Sequence, residues 1–163
     1  MTKLLLYPGS FNPVHSGHLG AAKIAESITN LKSIFLVSAS NADKGQLNLI
    51  DGAKRCKMIN DEGYYASICY SALFHEKIVH YSEYGDCIFI VGADTWDRLW
   101  DTKYGLDQKE LFVHFKNYGV KFIVFPRYGI PIINMPDFMI KSDLVDNYYS
   151  GVSSTQIRNS ELK

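Results

Sequence analysis

The chain carries no surplus of either charge: 17 lysines and arginines stand against 17 aspartates and glutamates, a formal net charge of +0. That balance provides no electrostatic footprint for a nucleic-acid polymer or an anionic membrane, which leaves a small polar molecule as the default partner. Cysteine is scarce. Cys56, Cys69 and Cys87 are odd in number and show no Cys-x-x-Cys spacing, so they read as buried thiols in a reducing compartment. Long apolar runs are missing as well. The first apolar stretch, 4–7, is too short for a signal-peptide core and passes at once into Pro8 and Gly9, and no other run approaches a membrane span. The expected location is the cytoplasm. Repeats, low-complexity tracts and linkers are also lacking, so 163 residues that are 47% hydrophobic read as one domain over 1–163, with a homo-oligomer left open.

What the chain does have is an alternation of short apolar runs and amphipathic stretches. Residues 3–7 and 33–38 are strand candidates. Between them Ala21, Ile24, Ala25 and Ile28 form one helical stripe, with Lys23 and Glu26 turned to solvent. Such a unit implies a right-handed crossover and a parallel sheet. Further strands are expected within 64–73, at 87–91 and at 120–125, with helices at 51–60 (apolar members Ala53, Met58 and Ile59), 74–84 and 110–118. The stretch 130–149 has two prolines and mixed polarity and yields no assignment. The whole predicts an α/β fold: a Rossmann-like, doubly wound, five-stranded parallel sheet of order 3-2-1-4-5 with helices on both faces.

Chemistry concentrates at residues 9–18, Gly-Ser-Phe-Asn-Pro-Val-His-Ser-Gly-His, directly after the first strand. A strand that ends in a glycine-bearing turn and opens into a helix presents backbone N–H groups where a phosphate can sit. With a helix beginning near Gly17, His15 and His18 can both face one anion, and Gly17 leaves no side chain in its way. A plain chain reversal with structural histidines is the competing explanation for each feature taken singly.

Two other stretches join this site. Lys44, in the polar loop after the second strand, is either a phosphate ligand or a solvated turn lysine. In 92–100, Gly-Ala-Asp-Thr-Trp-Asp-Arg-Leu-Trp, Asp94 is placed as a helix N-cap. Trp96 and Trp100 share a helical face that packs in the core or offers a platform to an aromatic base. The order 3-2-1-4-5 would bring His15, His18, Asp94 and Trp96 to one cleft. Near the end, Ser153-Ser154-Thr155-Gln156 fits a capping box and, with Arg158, makes a second polyanion site. His75 and His80 lie about 140° apart on a helix of about 3.6 residues per turn, which removes a zinc-protease reading.

The string at 9–18 resembles the Gly-x-Phe-x-Pro and His-x-Gly-His signature of the nucleotidyltransferase superfamily. Residues 152–158 resemble the Ile-Ser-Ser-Thr-x-Ile-Arg motif of its nicotinamide and nicotinate mononucleotide adenylyltransferases, and 41–44 with 92–100 resemble related cytidylyltransferase-like domains. The resemblance implies transfer of an adenylyl group from ATP to the 5′-phosphate of a mononucleotide acceptor. His15, His18 and Arg158 would be catalytic. Gly9, Ser10, Phe11, Gly17, Lys44, Ser153, Ser154 and Thr155 would bind ATP phosphates, and Asp94, Trp96 and Trp100 the mononucleotide. Mg²⁺ would be carried by ATP. Three alternatives remain open: a pantetheine-phosphate adenylyltransferase, against which His15 and the Gly-Ala-Asp-x-Trp segment argue; a cytidylyltransferase; and a nucleotide sensor without turnover.

Overall fold

The computed structural model describes residues 2–41, 45–46, 49–101 and 106–148. Strand β1 (Lys3–Gly9) leads into helix α1 (Ser16–Thr29), and β2 (Ser33–Ser38) closes the first crossover. A two-stranded ladder, β3 (Ser40–Asn41) with β4 (Gly45–Gln46), follows, then α2 (Leu49–Asp61), β5 (Tyr65–Cys69) and α3 (Phe74–Ser82). The second half runs β6 (Asp86–Gly92), α4 (Ala93–Leu99), α5 (Gln108–Tyr118) and β7 (Lys121–Phe125). A single 3₁₀ turn (Pro136–Phe138) and the short α6 (Asp143–Asp146) complete the described chain.

Five strands form one sheet in the order β5-β2-β1-β6-β7, and each adjacent pair is parallel. Counted along the chain this is the expected 3-2-1-4-5. Successive side chains of a strand point to opposite faces, so Leu5 and Leu6 enter different cores. Leu6 joins Leu36, Ile78, Phe89, Trp96, Phe115 and Phe122 beneath α3, α4 and α5. Leu5 packs with Ala21, Ala25 and Val145 beneath α1 and α6, while Phe35 and Ile59 extend that side beneath α2. Covered on both faces, the central strands are apolar nearly throughout, as a parallel sheet requires.

Three expectations change. In α2 the residues facing the core are Gly52 and Ile59, whereas Ala53 and Met58 lie outside. Helix α4 begins two residues earlier than an Asp94 cap demands: Gly92 is its N-cap and Asp94 sits inside the first turn. Within the unassigned stretch 130–149, the described residues 130–148 are ordered by long-range contacts. The Met139 backbone bridges Phe122 on the edge strand β7, and the Ile140 N–H donates to the Phe122 carbonyl at 2.8 Å.

Candidate active site

The order of the strands reverses between β1 and β6, so the loops that leave their carboxyl ends diverge and open a crevice. On the β1 side, Gly9 lets the chain turn where a Cβ would come within 3.0 Å of the Phe11 ring. Phe11 adopts the left-handed φ of 48°, uncommon for a residue of its size. Its ring is buried, 4.9 Å from the Phe35 ring and 4.9 Å from the His18 ring. Phe11 therefore supports the histidine from behind, and only its backbone can meet a ligand. The Ser10 carbonyl, for its part, accepts from Arg55 Nη1 at 3.2 Å, which ties α2 to the turn after β1.

The helix start follows an unusual rule. N-caps are usually Ser, Thr, Asp or Asn; here the cap is His15, whose Nδ1 accepts from the Gly17 N–H at 3.0 Å. His18 returns the favour three residues on, its Nδ1 accepting from the His15 N–H at 3.2 Å. This is a capping box made of two imidazoles. The rings stack with centroids 3.7 Å apart.

That arrangement determines the protonation state. A ring nitrogen that accepts a hydrogen bond carries no proton, so each imidazole is the neutral tautomer with its proton on Nε2. Burial acts in the same direction: it pushes the His18 pKa down to about 3, with His15 and Arg127 adding to the effect. His15 is lowered too, by burial first and then by Arg127. The outcome is a pair of Nε2–H donors on the side of the rings opposite the caps, beside the N-terminus of α1.

Arg127 follows β7, and its electrostatic reach to both histidines places it on the same crevice. Its Nη1 pairs with Asp94 Oδ2 at 3.1 Å, and both side chains stay open to solvent, 55% and 39% exposed. An ion pair this exposed contributes roughly 0–1 kcal/mol to stability. Asp94 thus lies on the crevice as expected, but Arg127 was not singled out in the sequence. Its only local signal was the Pro-Arg-Tyr-Gly turn at the end of a strand.

The tryptophans do not form the expected platform. Trp96 is 0% and Trp100 6% exposed; the two rings meet edge to face at 5.4 Å, and Trp96 also packs on Phe122 at 5.0 Å. Ala93, Trp96 and Trp100 are spaced three and four apart, so one helical face carries all three into the core. The Trp96 Nε1–H donates to the Ile133 carbonyl at 2.8 Å, tying down the loop that carries Arg127. Trp96 supports the crevice from below and leaves no ring face open to a ligand.

Gly17 is buried at the first turn, as close approach there requires. Lys44, Ser153, Ser154, Thr155 and Arg158 lie outside the described residues. His75 and His80 lie on α3, where the His75 carbonyl is 3.2 Å from His114 Nε2. Among the described residues no group of three His, Cys, Asp or Glu side chains is arranged to hold a metal ion, and no helix is long and apolar enough to cross a membrane.

Three comparisons bear on this site. A family model described as cytidylyltransferase-like matches residues 6–160. Among curated proteins, a probable nicotinate-nucleotide adenylyltransferase from Porphyromonas gingivalis is 26% identical over 175 residues, covering 97% of this chain and 83% of the relative. Among solved structures, the nicotinic acid mononucleotide adenylyltransferase of Plasmodium falciparum complexed with NaAD superimposes with a TM-score of 0.62 at 16% identity. That match covers 98% of this chain and 83% of the other. The same enzyme complexed with APC gives 0.61 at 12% identity, over the same shares of the two chains. At these identities the superpositions establish the fold.

Proposed function

The chain belongs to the cytidylyltransferase-like family, and from that premise we propose that it transfers the adenylyl group of ATP to the 5′-phosphate of nicotinate or nicotinamide mononucleotide, releasing pyrophosphate. The observation that carries this reading is the imidazole capping box, which holds two neutral Nε2–H donors at a helix N-terminus. Its chemistry suits a polyphosphate. In this transfer an oxygen of the acceptor phosphate attacks the α-phosphorus in line, and the bond from that phosphorus to the bridging oxygen of pyrophosphate breaks. The attacking oxygen is already anionic, so no general base is needed. The protein's task is to align the two phosphates and to neutralise charge as it gathers on the phosphoryl oxygens. His15 and His18 donate to those oxygens, the N-terminus of α1 adds its partial positive charge, and Gly9 and Gly17 admit the chain of phosphates.

Arg127 completes this set. Its guanidinium turns from Asp94 to a phosphate as substrate binds, while Asp94 is left to accept from a ribose or base of the acceptor. Ser153, Ser154, Thr155 and Arg158 supply the hydroxyls and the cation for the β/γ end of ATP, and Lys44 a further cation. Mg²⁺ enters as part of the ATP substrate. The dinucleotide named with the Plasmodium structure, and the name of the Porphyromonas relative, support nicotinate mononucleotide as the first acceptor to try. The test is to incubate the protein with ATP or CTP and each of nicotinate mononucleotide, nicotinamide mononucleotide and phosphopantetheine, identifying products by mass and following pyrophosphate. A pyridine dinucleotide formed from ATP is the expected product. Turnover of phosphopantetheine alone, or of CTP alone, overturns the assignment, and binding without pyrophosphate release under all pairs makes the protein a sensor.

A further inference from the structure

Helix α1 bears the imidazole pair, and its first turn is braced from a distant part of the chain. Tyr148 follows α6 and its hydroxyl donates to the Gly17 carbonyl at 2.9 Å, across 131 residues of sequence. The ring is held edge to face against Phe125 at the end of β7, with centroids 5.5 Å apart. It lies so close to α1 that a Cβ built on Gly20 would stand 2.2 Å from the hydroxyl oxygen and 3.0 Å from the ring carbon that bears it. Gly20 is therefore the hole into which Tyr148 fits. Burial raises the pKa of the tyrosine, so the hydroxyl keeps the proton it donates.

The elements behind Tyr148 are anchored in their own right. Ser142 caps α6 by accepting from the Leu144 N–H at 3.2 Å, Val145 is buried under α1 with Leu5 and Ala21, and the Tyr148 N–H donates to the Val145 carbonyl at 3.1 Å. Gly17 is also the residue whose N–H occupies His15 Nδ1. One residue thus receives the tyrosine on its carbonyl and supplies the histidine cap from its amide.

We propose that Tyr148 is a positioning residue for the His15–His18 pair: seated in the Gly20 hole, it fixes the first turn of α1 so that both Nδ1 atoms stay capped and both Nε2–H groups stay aimed at substrate. The proposal rests on the adenylyl-transfer reading for its kinetic consequence, and on structure alone for its effect on the imidazoles. Two single variants address it from opposite sides. Tyr148→Phe removes the hydrogen bond and keeps the ring; Gly20→Ala fills the hole and displaces the hydroxyl from Gly17.

Each single variant is expected to lower kcat about five- to ten-fold, the effect of one hydrogen bond, while the KM of the mononucleotide holds. Because both act through the same contact, the double variant loses no more than the worse single one. Nitrogen NMR of the imidazoles in the ligand-free protein supplies a readout that general loosening does not move: the wild type shows one Nε2–H tautomer at each histidine, and both variants show mixed or broadened tautomers. Imidazole signals in Tyr148→Phe that superimpose on the wild type's overturn the proposal, as do kinetic losses that multiply in the double variant. Should Gly20→Ala not fold, Tyr148→Phe decides alone. Should no substrate pair turn over, the adenylyl-transfer reading fails, and the imidazole spectra still decide the role of Tyr148.

Discussion

The junction of β1 with α1 and the junction of β6 with α4 are the same device built twice, a parallel strand running through a glycine into a helix at the carboxyl edge of the sheet. At the first, the helix opens on polar rings: His15 and His18 take the orphan N–H groups of the turn into their Nδ1 atoms and stay at the surface of the crevice. At the second, Gly92 caps without a side chain, and the large rings that follow point inward, Trp96 completely and Trp100 nearly so. The difference is one of helical phase. Ala93 opens α4 facing the sheet, so the residues three and seven positions on face it too, which leaves Asp94 on the crevice. A motif next to a strand end therefore has a functional part and a structural part, and the phase of the helix decides which is which.

That contrast can be broken most forcefully at Trp96. Replacing it with alanine should cost about 3–5 kcal/mol of stability, as truncation of a buried aromatic does, and a urea titration measures it. A stable Trp96→Ala protein whose only defect is a raised KM for the acceptor would restore the platform and erase the distinction between the two junctions. His18→Ala should do the reverse, cutting turnover by about two to three orders of magnitude, the scale for losing one donor to developing charge. Near wild-type turnover in the folded variant removes His18 from the mechanism.

Arg127→Ala removes a side chain that faces both junctions. A charge-assisted hydrogen bond to phosphate corresponds to a fall of about ten- to a hundred-fold in kcat/KM for ATP, whereas the exposed pair with Asp94 predicts little change in unfolding free energy. Loss of stability with unchanged kinetics would reassign Arg127 to the scaffold. The last effect concerns pH and stability. His18 stays neutral in the folded protein down to about 3 and titrates near its ordinary 6.5 when unfolded. Between those values the unfolded chain binds more protons, so stability should rise with pH across that window and fall as pH drops through it. In His18→Asn, followed by denaturation at a series of pH values, that slope should flatten.

The parts of the molecule that were legible in the sequence are those settled by neighbours in the chain. Apolar runs marked the central strands, with β2 matched at both ends, because a strand covered on two faces needs continuous hydrophobicity; the edge strand β5 alternates in burial and was placed only within 64–73. The histidine pair was legible for the same reason, its two caps spanning two and three residues. Arg127 was not, because its partner is 33 residues away. Nor was 130–148, whose order comes from Trp96 reaching Ile133, Ile140 bonding back to Phe122 and Tyr148 crossing to Gly17. The tryptophans were legible as a face, but the direction of that face depended on where α4 begins.

The proposed phosphate site depends on two imidazoles that are neutral and carry their protons on Nε2. The most direct measurement is a nitrogen NMR titration of His15 and His18 in the ligand-free protein, from pH 8 down to pH 5. The expected result is the Nε2–H tautomer for His18 throughout, with no protonation of its Nδ1 while the caps hold, and for His15 an Nε2–H tautomer at pH 8 with a midpoint below the ordinary histidine value. A His18 that titrates near 6.5, or that carries its proton on Nδ1 at pH 8, contradicts it.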